Sequence, residues 1–263
     1  MTNIRWLVDL LKDISEAPEY EARIIAEKQL NDVEIEQILN RRRQGEPLSK
    51  ILEEKGFYKY IFKTTSDVLD PRADSEILVE SVLEFVPDTG SSIKILDIGT
   101  GSGCLLISTT MEYQNAAGVG IDKSEEALKI AQKNAQAIAK DNNISFVKQD
   151  VMIKSWTEDL CQFDIIISNP PYIKSADIEK LDVAVKQYDP MLALDGGVDG
   201  LMFYRQLANT LMPITHEKTK IFFEIGQGQE DDVTDLMQQN GFSLLATRKD
   251  YGNIIRVLVF ERG

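Results

Sequence analysis

The residues that point most directly to chemistry are four consecutive ones, Asn169, Pro170, Pro171 and Tyr172, which follow an apolar segment ending at Ser168. Two consecutive prolines cannot continue a central strand, so the chain must leave the sheet stiffly at this point. The side-chain carbonyl of Asn169 and the main-chain carbonyl of Pro170 can each accept one hydrogen of an NH2 group, and the ring of Tyr172 can stack on a flat group. The tetrapeptide therefore predicts a catalytic and substrate-binding clamp for a planar NH2 group. An ordinary turn is the structural alternative, and the clamp itself suits a nucleobase as well as an amide.

A glycine-rich segment farther upstream predicts a cofactor loop. Its three glycines come directly after a strand-like run, where glycine lets the backbone approach a ligand closely. Such a loop alone also suits a tight turn or a nicotinamide-dependent dehydrogenase, but the GxGxG spacing lacks the third glycine of the GxGxxG dinucleotide motif. The residues of this segment predicted to bind S-adenosyl-L-methionine are Asp97, Ile98, Gly99, Thr100, Gly101 and Gly103.

Three carboxylates fall at the ends of three successive predicted strands. Asp97 precedes the glycines and is placed to meet the amino-acid end of the cofactor, and Asp122 can accept both ribose hydroxyls. Asp150, together with Val151, is predicted to contact the adenine. Because the carboxyl ends of parallel strands meet in one crevice, these groups and Asn169 are expected to share one site.

The chemistry of such a site needs no strong side-chain base. A sulfonium methyl donor is positively charged, so attack by a neutral nitrogen disperses charge, and orientation does much of the work. Two hydrogen bonds to an amide NH2 push electron density back onto the nitrogen, and the proton can leave late to water. The single histidine, His216, is predicted to be a solvated loop residue, and no metal site is expected.

Strands and helices alternate from Ile93 onward, which favours a parallel sheet covered on both faces. We predict strands over 93–98, 117–121, 145–148, 163–168, 221–225, 242–246 and 254–260, and helices over 104–111, 124–139, 200–211 and 230–239. Residues 173–198 contain no clear element, and so long a loop in a compact domain is typically functional, for example as a lid.

The first part of the chain has a different character. Apolar residues at helical spacing predict three helices, the third capped by Asp32, before Gly45 and Pro47 break the pattern. A strand over 58–63 and a short extended stretch at Val68-Leu69 predict a hairpin, and a helix over about 74–84 follows. We expect three segments: a helical bundle at 1–55, a hairpin and linker helix at 56–92, and the catalytic domain at 93–263.

Composition narrows the class of protein. The chain has 263 residues, 43% of them hydrophobic, and a formal net charge of −14. An acidic chain lacks the electrostatic footprint of a protein that grips a nucleic-acid backbone, so we expect no nucleic-acid partner. No apolar run approaches a membrane span, Met1–Trp6 lacks the pattern of a signal peptide, and Cys104 and Cys161 form no disulfide framework. A cytoplasmic monomer is expected, with no membrane association.

These motifs together resemble the HemK/PrmC protein-(glutamine-N5) methyltransferases over nearly the whole chain. The segments that carry the resemblance are 42–48, 68–76, 97–103, 169–172, 188–190, 193–194 and 196–201. The resemblance implies an α/β, Rossmann-like methyltransferase with a seven-stranded mixed sheet and a small N-terminal helical domain joined by a β-hairpin linker. It implies methylation of the glutamine N5 in the Gly-Gly-Gln motif of class I peptide chain release factors, with S-adenosyl-L-methionine as cofactor and S-adenosyl-L-homocysteine as product. The N-terminal bundle would recognise the release factor.

Four positions depart from the family pattern. Asp70 and Ala73 replace an apolar residue and a proline of the linker, Asp189 replaces a glutamate, and Val151 stands where some relatives carry an aromatic residue against the adenine. Trp156 could supply that aromatic group, although core packing is the simpler interpretation.

Three alternatives stay open at the level of sequence. The tetrapeptide also occurs in adenine-N6 methyltransferases of nucleic acids and in enzymes that methylate a ribosomal-protein glutamine. A non-catalytic binding protein on the same fold is the third, and the intact glycine loop, Asp122 and tetrapeptide argue against it.

Overall fold

The computed structural model describes residues 4–263. The part of the signal-peptide prediction that rests on residues 1–3 lies outside this range. Among the described residues, no helix combines the length and the apolar character needed to cross a membrane.

The chain begins with a bundle of four helices: α1 (Ile4–Leu11), α2 (Pro18–Glu27), α3 (Asp32–Arg43) and α4 (Leu48–Leu52). Apolar side chains at helical spacing, among them Leu7, Ile25 and Leu39, pack into a core of their own. The cap of α3 is Asn31 rather than the predicted Asp32. The Asn31 side chain accepts from the main-chain amides of Val33 and Glu34, while Glu34 bonds back to the Asn31 amide.

A two-stranded hairpin follows, formed by β1 (Glu54–Phe57) and β2 (Tyr60–Lys63). The prediction of a hairpin is confirmed, but its strands are not those expected, because β2 pairs with the segment before it rather than with Val68-Leu69. Only Phe57 of β1 is buried, so the strand carries no alternating apolar signal. Val68 instead packs against Ala127 and Ile130. A short 3-10 turn (Ala73–Ser75) then leads into α5 (Glu76–Phe85).

The rest of the chain builds a seven-stranded mixed sheet, which confirms the predicted fold. Its strands are β3 (Ser92–Ile98), β4 (Asn115–Asp122), β5 (Asn143–Lys148), β6 (Phe163–Ser168), β7 (Thr215–Glu224), β8 (Phe242–Lys249) and β9 (Ile255–Arg262). Their order is β5-β4-β3-β6-β7-β9-β8, with β9 antiparallel to both of its neighbours. Since β4 and β5 lie on one side of β3 and β6 on the other, the order reverses between β3 and β6. Open sheets bind ligands at such a switch point.

Helices cover both faces of this sheet. The sheet helices are α6 (Cys104–Thr110), α7 (Glu125–Ile138), α9 (Met202–Thr210) and α10 (Glu230–Gln239). One apolar core joins α5, α6 and α7 to the sheet, and a second core joins α9, α10 and the buried Trp156 to the opposite face. The two cores hold the carboxyl ends of β3, β4 and β6 in fixed relative positions.

Two expectations about loops need correction. The segment 173–198 contains a 3-10 helix (Ser175–Lys180), α8 (Val183–Tyr188) and a 3-10 turn (Met191–Ala193). Within the described part of the chain, α8 has no buried residue. The helix therefore has no apolar face that a sequence pattern could reveal. His216 lies in β7 rather than in a loop, and its Nε2 is 3.1 Å from Oδ1 of Asp164.

Candidate functional site

A cavity of about 500 Å³ opens at the carboxyl end of the sheet, beside the switch point between β3 and β6. This volume lies within the range of small-molecule sites. Its wall contains seven of the residues predicted to bind a cofactor and two further members of the tetrapeptide. They are Ile98, Gly99, Gly101, Asp122, Asp150, Val151 and Asn169, with Pro170 and Pro171. One cavity therefore joins the glycine turn, the acidic strand ends and most of the predicted clamp.

The glycine turn presents open backbone to this cavity. The amides of Gly99 and Thr100 both donate to the carbonyl of Ile121, at 2.9 Å each, so the turn is tied to the end of β4. Gly99 and Gly101 have φ of +73° and +55°, and apart from the adjoining residues no atom of the described chain lies within 4 Å of where their Cβ would stand. Gly103 differs, because a Cβ there would meet Ile107 and Ala131 at 3.1 and 3.2 Å. Gly103 thus serves the packing of α6 on α7 and does not line the cavity.

Asp97 lies beneath the turn, nearly completely buried. Its Oδ2 accepts from the hydroxyl of Thr100 at 2.6 Å, and neither residue is on the cavity wall of the described chain. Oδ1 of Asp97 has no hydrogen-bond partner among the described residues. Burial raises the pKa of this carboxyl to about 7. An unpartnered buried carboxylate oxygen fits a cationic ligand, because an approaching positive charge would stabilise its ionised form.

Asp122 reaches the cavity from the end of β4. Its Oδ2 accepts from the Gly101 amide at 2.9 Å and its Oδ1 from the Ser124 amide at 2.8 Å. Burial nevertheless raises the pKa of this carboxyl above its ordinary value. Each carboxylate oxygen has a second lone pair, so the geometry leaves room for two hydroxyl donors, as the vicinal hydroxyls of a ribose require.

The side of the cavity after β5 is formed by Asp150 and Val151. Oδ2 of Asp150 is 2.9 Å from Nζ of Lys123, and the hydrogen bond with Lys123 lowers the pKa of Asp150. The carbonyl of Val151 accepts from Nε2 of Gln206 at 2.8 Å, which joins this side to α9.

The aromatic residue on this cavity is one that the sequence analysis missed. Trp156 is 1% exposed, belongs to the core and donates from Nε1 to Thr210, which supports the core-packing interpretation. Phe203 of α9 lines the cavity instead, one helical turn from Gln206 and hence close to Val151. The signal available was the spacing of Met202, Phe203 and Leu207 along the helix.

The tetrapeptide is anchored where it leaves β6. The hydroxyl of Ser168 donates to the carbonyl of Ile98 at 2.7 Å and so joins the ends of β6 and β3. Nδ2 of Asn169 donates to the hydroxyl of Ser75 at 3.2 Å, while Asn169 itself lines the cavity.

Tyr172 lies apart from the cavity wall within the described residues, contrary to the expected stacking position. Its ring packs beside Gly226, whose Cβ position is 3.0 Å from Cδ2 of the ring. Burial raises the pKa of its hydroxyl to about 12, and Nε2 of Gln229 donates to its carbonyl at 3.1 Å. The ring therefore belongs to the packing behind the clamp.

A carboxylate near the clamp, Glu224, was also missed. It ends β7 after three apolar residues, just as Asp97 and Asp122 fall near the ends of β3 and β4, and it is 2% exposed. An acidic residue that closes an apolar run was the available signal. Because β7 comes much later in the chain than β6, the sequence does not show that the two strands are neighbours in the sheet.

The segment after α8 covers the cavity, with Pro190, Met191, Leu192 and Ala193 on its wall. The segment is tied back to the tetrapeptide through paired main-chain bonds between Ile173, Leu194 and Gly196. These residues line the cavity, and the lid expected in this part of the chain stays a prediction.

Comparison with known proteins gives three findings. The family model described as "Methyltransferase small domain" matches residues 67–188. The release factor glutamine methyltransferase of Agrobacterium fabrum (strain C58) is 38% identical over 229 residues, which are 86% of this chain and 78% of that protein. The corresponding enzyme of Thermodesulfovibrio yellowstonii is 38% identical over 231 residues, which are 87% of this chain and 81% of the relative.

Among solved structures, the ribosomal protein L11 methylase of Lactobacillus delbrueckii subsp. bulgaricus superposes with a TM-score of 0.53 at 18% identity. The match covers 79% of this chain and 90% of that one. At this identity the likeness concerns the fold alone.

Proposed function

The chain belongs to the family of release factor glutamine methyltransferases, and we propose from this premise that its acceptor is the glutamine of the Gly-Gly-Gln motif in class I peptide chain release factors. The methyl group is transferred from S-adenosyl-L-methionine to the side-chain amide N5, and the product of the cofactor is S-adenosyl-L-homocysteine. The protein is an enzyme of protein methylation.

One observation carries the proposal. A single cavity has the open glycine turn and Asp122 on one part of its wall and Asn169, Pro170 and Pro171 on another. A ligand held by the first group would present its reactive end to an NH2 group held by the second. This is the arrangement that a two-substrate transfer to nitrogen requires.

The residues present fit a cationic adenosine cofactor. The backbone at Gly99 and Gly101 leaves space that any Cβ would fill, Asp122 has two free lone pairs, and Oδ1 of Asp97 lacks a partner among the described residues. We propose that Asp122 accepts the ribose hydroxyls, that Asp150, Val151 and Phe203 border the adenine, and that Asp97, braced by Thr100, faces the amino-acid end through the turn.

The bound cofactor supplies a methyl group on a sulfonium sulfur, so that transfer forms an N–C bond, breaks the S–C bond and releases one proton from the nitrogen. The chain's part is to hold the acceptor. Oδ1 of Asn169 and the carbonyl of Pro170 accept the two N–H hydrogens of the glutamine amide, which aims the nitrogen lone pair at the methyl group. Pro170 and Pro171 keep these acceptors rigid. Tyr172 supports the clamp from behind through its packing at Gly226.

Further parts of the proposal concern partners and location. The predicted boundaries after residues 55 and 92 fall inside β1 and β3, so the units follow the elements instead. The helical bundle forms the region that recognises the release factor, the hairpin and α5 connect it, and the seven-stranded sheet with its helices carries out the transfer. A formal net charge of −14 supports a protein rather than a nucleic-acid substrate, because like charges repel a phosphate backbone. We propose a monomer that acts in the cytoplasm without binding membrane or nucleic acid.

The test is incubation with methyl-labelled S-adenosyl-L-methionine and four acceptors in parallel. The acceptors are a class I release factor, its variant with the motif glutamine replaced by alanine, a ribosomal-protein preparation and an oligonucleotide containing adenine. We expect label on the intact release factor alone. Label on the oligonucleotide or on a ribosomal protein would select one of the alternatives, and label on the alanine variant would place the methyl group on another residue.

A further inference from the structure

Two buried polar side chains, those of Ser75 and Glu224, lie behind Asn169. Neither belongs to the cavity wall formed by the described residues. Ser168 pairs with Phe223 across β6 and β7, so Glu224 comes level with Asn169 on the neighbouring strand. Ser75, from the turn before α5, approaches the same point from the linker. Glu224 is 2% exposed and Ser75 is 3% exposed. Three segments far apart in sequence thus meet at one amide.

The contacts among these groups have a definite direction. Nδ2 of Asn169 donates to Oγ of Ser75 at 3.2 Å. Ser75 and Asn169 both lower the pKa of the Glu224 carboxyl, whose buried Oε2 has no hydrogen-bond partner among the described residues. An ionised carboxylate can only accept. Since Oγ of Ser75 accepts from the Asn169 NH2, its own proton is available for the unpartnered Glu224 carboxylate, and Oδ1 of Asn169 is the end left to face the cavity.

The orientation matters because rotating the side-chain amide of Asn169 by 180° exchanges Oδ1 and Nδ2 with little change in the shape of the residue. With Oδ1 toward the cavity, Asn169 accepts from an incoming NH2 group. With Nδ2 there, two donors would face each other and both would be left unpaired. Nothing in Asn169 itself chooses between these orientations, so its surroundings must do so.

We propose that Glu224, acting through Ser75, is a positioning residue that holds the Asn169 amide with its oxygen toward the substrate and so makes the clamp selective for an NH2 donor. The proposal rests on the function proposed above for the tetrapeptide. Glu224 acts through another residue and touches no substrate.

The charges around Glu224 make its role dependent on pH. Burial is the main cause that raises the pKa of Glu224 to about 7, and Asp74 acts in the same direction, whereas Ser75, Arg256 and Asn169 oppose it. Arg256 is itself paired with Asp250 at 2.9 Å, and the hydroxyl of Tyr204 donates to the main-chain carbonyl of Glu224. A protonated Glu224 gains a donor and no longer fixes the direction of the Ser75 proton. The rate constant kcat should therefore fall as pH decreases from about 8 to about 6.

The decisive variants are Glu224→Gln and Ser75→Ala, with Glu230→Gln as the matched control. Glu230 also carries a buried carboxylate oxygen without a partner among the described residues, but it lies at the start of α10. We expect Glu224→Gln to lower kcat about tenfold to a hundredfold, the range of one hydrogen bond to a charged group. The Kd for S-adenosyl-L-methionine should stay within about twofold of wild type. The fall of kcat at low pH should disappear in this variant, and Glu230→Gln should behave as wild type does.

The kcat is measured with whichever acceptor the labelling experiment identifies. If that acceptor is not the release factor, the proposed function is wrong, but the positioning role of Glu224 is still tested. A second readout needs no acceptor at all. The side-chain NH2 signals of Asn169, assigned by comparison with Asn169→Asp, should be protected from solvent exchange in wild type and lose protection in both Ser75→Ala and Glu224→Gln. Unchanged kcat in a folded Glu224→Gln protein, or unchanged protection of the Asn169 NH2, would overturn the positioning role. If Glu224→Gln fails to fold, Ser75→Ala decides by the same two measurements.

Discussion

At the scale of single residues, two acids that the sequence analysis assigned to the same cofactor site differ in their position relative to the cavity. Asp122 lines the cavity, whereas Asp97 and Thr100 bond to each other beneath the turn. Both acids lie at or near the end of a strand, so the sequence gives the same indication of a binding role for each. What distinguishes them is the direction in which each side chain leaves the sheet, and the alternation of strand residues alone does not reveal where the neighbouring turn will lie.

Asn169 and Asp122 should show opposite defects. Asn169→Ala removes the acceptor for the substrate NH2, so we expect kcat to fall by about a hundredfold or more, with the cofactor Kd nearly unchanged. Asp122→Asn weakens the grip on the ribose hydroxyls, so the cofactor Kd should rise about tenfold to a hundredfold. Calorimetric titration and single-turnover methylation measure the two effects. Asp141→Asn, in the exposed turn after α7, serves as the control. An Asn169→Ala enzyme with the wild-type rate would remove Asn169 from the clamp.

Asp97 should make stability depend on pH. Burial raises its pKa in the folded protein to about 7, from 3.8. Between these values the folded state holds a proton that the unfolded chain has lost, so the contribution of Asp97 to stability falls as pH rises from about 4 to about 7 and is then constant. Asp97→Asn removes this cost. Relative to wild type, the variant should therefore gain about 1–3 kcal/mol in free energy of unfolding between pH 5 and pH 8.

Urea unfolding of both proteins at pH 5 and pH 8 measures that difference. Asp235→Asn, exposed on α10, should show no such change with pH and controls for the loss of one charge. An Asp97→Asn advantage of equal size at both pH values would mean that Asp97 ionises normally in the folded protein.

At the scale of helices and strands, the elements that were predicted well are those with a strong local pattern. β6 and α10 have the expected bounds, since the first has three consecutive isoleucines and is closed by Asn169-Pro170, and the second has Val233 and Met237 at helical spacing. β1 escaped prediction because only Phe57 of its four residues is buried, and α8 because its described residues bury nothing. The strand-end acids could be found in the sequence for the same local reason. Phe203 and Glu224 left only a weak local signal and Ser75 left none, since their relation to the site depends on contacts between distant elements.

Helix α9 supplies the prediction that belongs to this scale. Phe203 should stack on the adenine, so Phe203→Ala should raise the Kd for S-adenosyl-L-methionine about tenfold, in keeping with about 1–3 kcal/mol for a base on an aromatic ring. Trp156→Phe is the matched comparison, because Trp156 is buried in the core and bonded to Thr210. It should lower the melting temperature and leave the Kd unchanged. A reversed pattern, with Trp156→Phe affecting the Kd and Phe203→Ala not, would place the adenine on the other side of Val151.

At the scale of the whole molecule, one buried cation links the helical bundle, the linker and the cover of the cavity. Nζ of Lys50, on α4, lies 2.9 Å from Oδ1 of Asp70 and 3.1 Å from Oδ1 of Asp189, and Arg72 reaches the other oxygen of Asp189 at 2.7 Å. Asp70 and Asp189 are two of the departures from the family pattern, and here they share one ammonium group. The Lys50 ammonium thus offsets the negative charge that Asp70 brings into the buried linker.

The pKa of Asp70 agrees with this arrangement. Burial alone would raise it, but the charge of Lys50 and hydrogen bonds from Lys50, Ser49 and Thr64 lower it below its ordinary value. A lowered carboxyl pKa contributes stability at neutral pH that is lost as pH falls below about 4. Lys50 also donates to the carbonyls of Thr65 and Val68, at 2.8 and 2.7 Å, so the linker closes around it.

Lys50→Met should therefore affect the whole protein. It leaves two buried carboxylates with only Arg72 opposite one of them, and breaking a buried pair costs about 3–5 kcal/mol of unfolding free energy. The Kd for S-adenosyl-L-methionine should rise as well, because Asp189 directly precedes Pro190 to Ala193 on the cavity wall. Lys28→Met removes an exposed pair between the bundle and Glu54 of β1 and should cost less than about 1 kcal/mol, with no change in Kd. The double variant Lys50→Met/Asp70→Asn should recover part of the stability, since it removes one uncompensated charge. Urea unfolding and calorimetry test both effects, and a Lys50→Met protein no less stable than Lys28→Met would show that the three segments are held together by their apolar contacts alone.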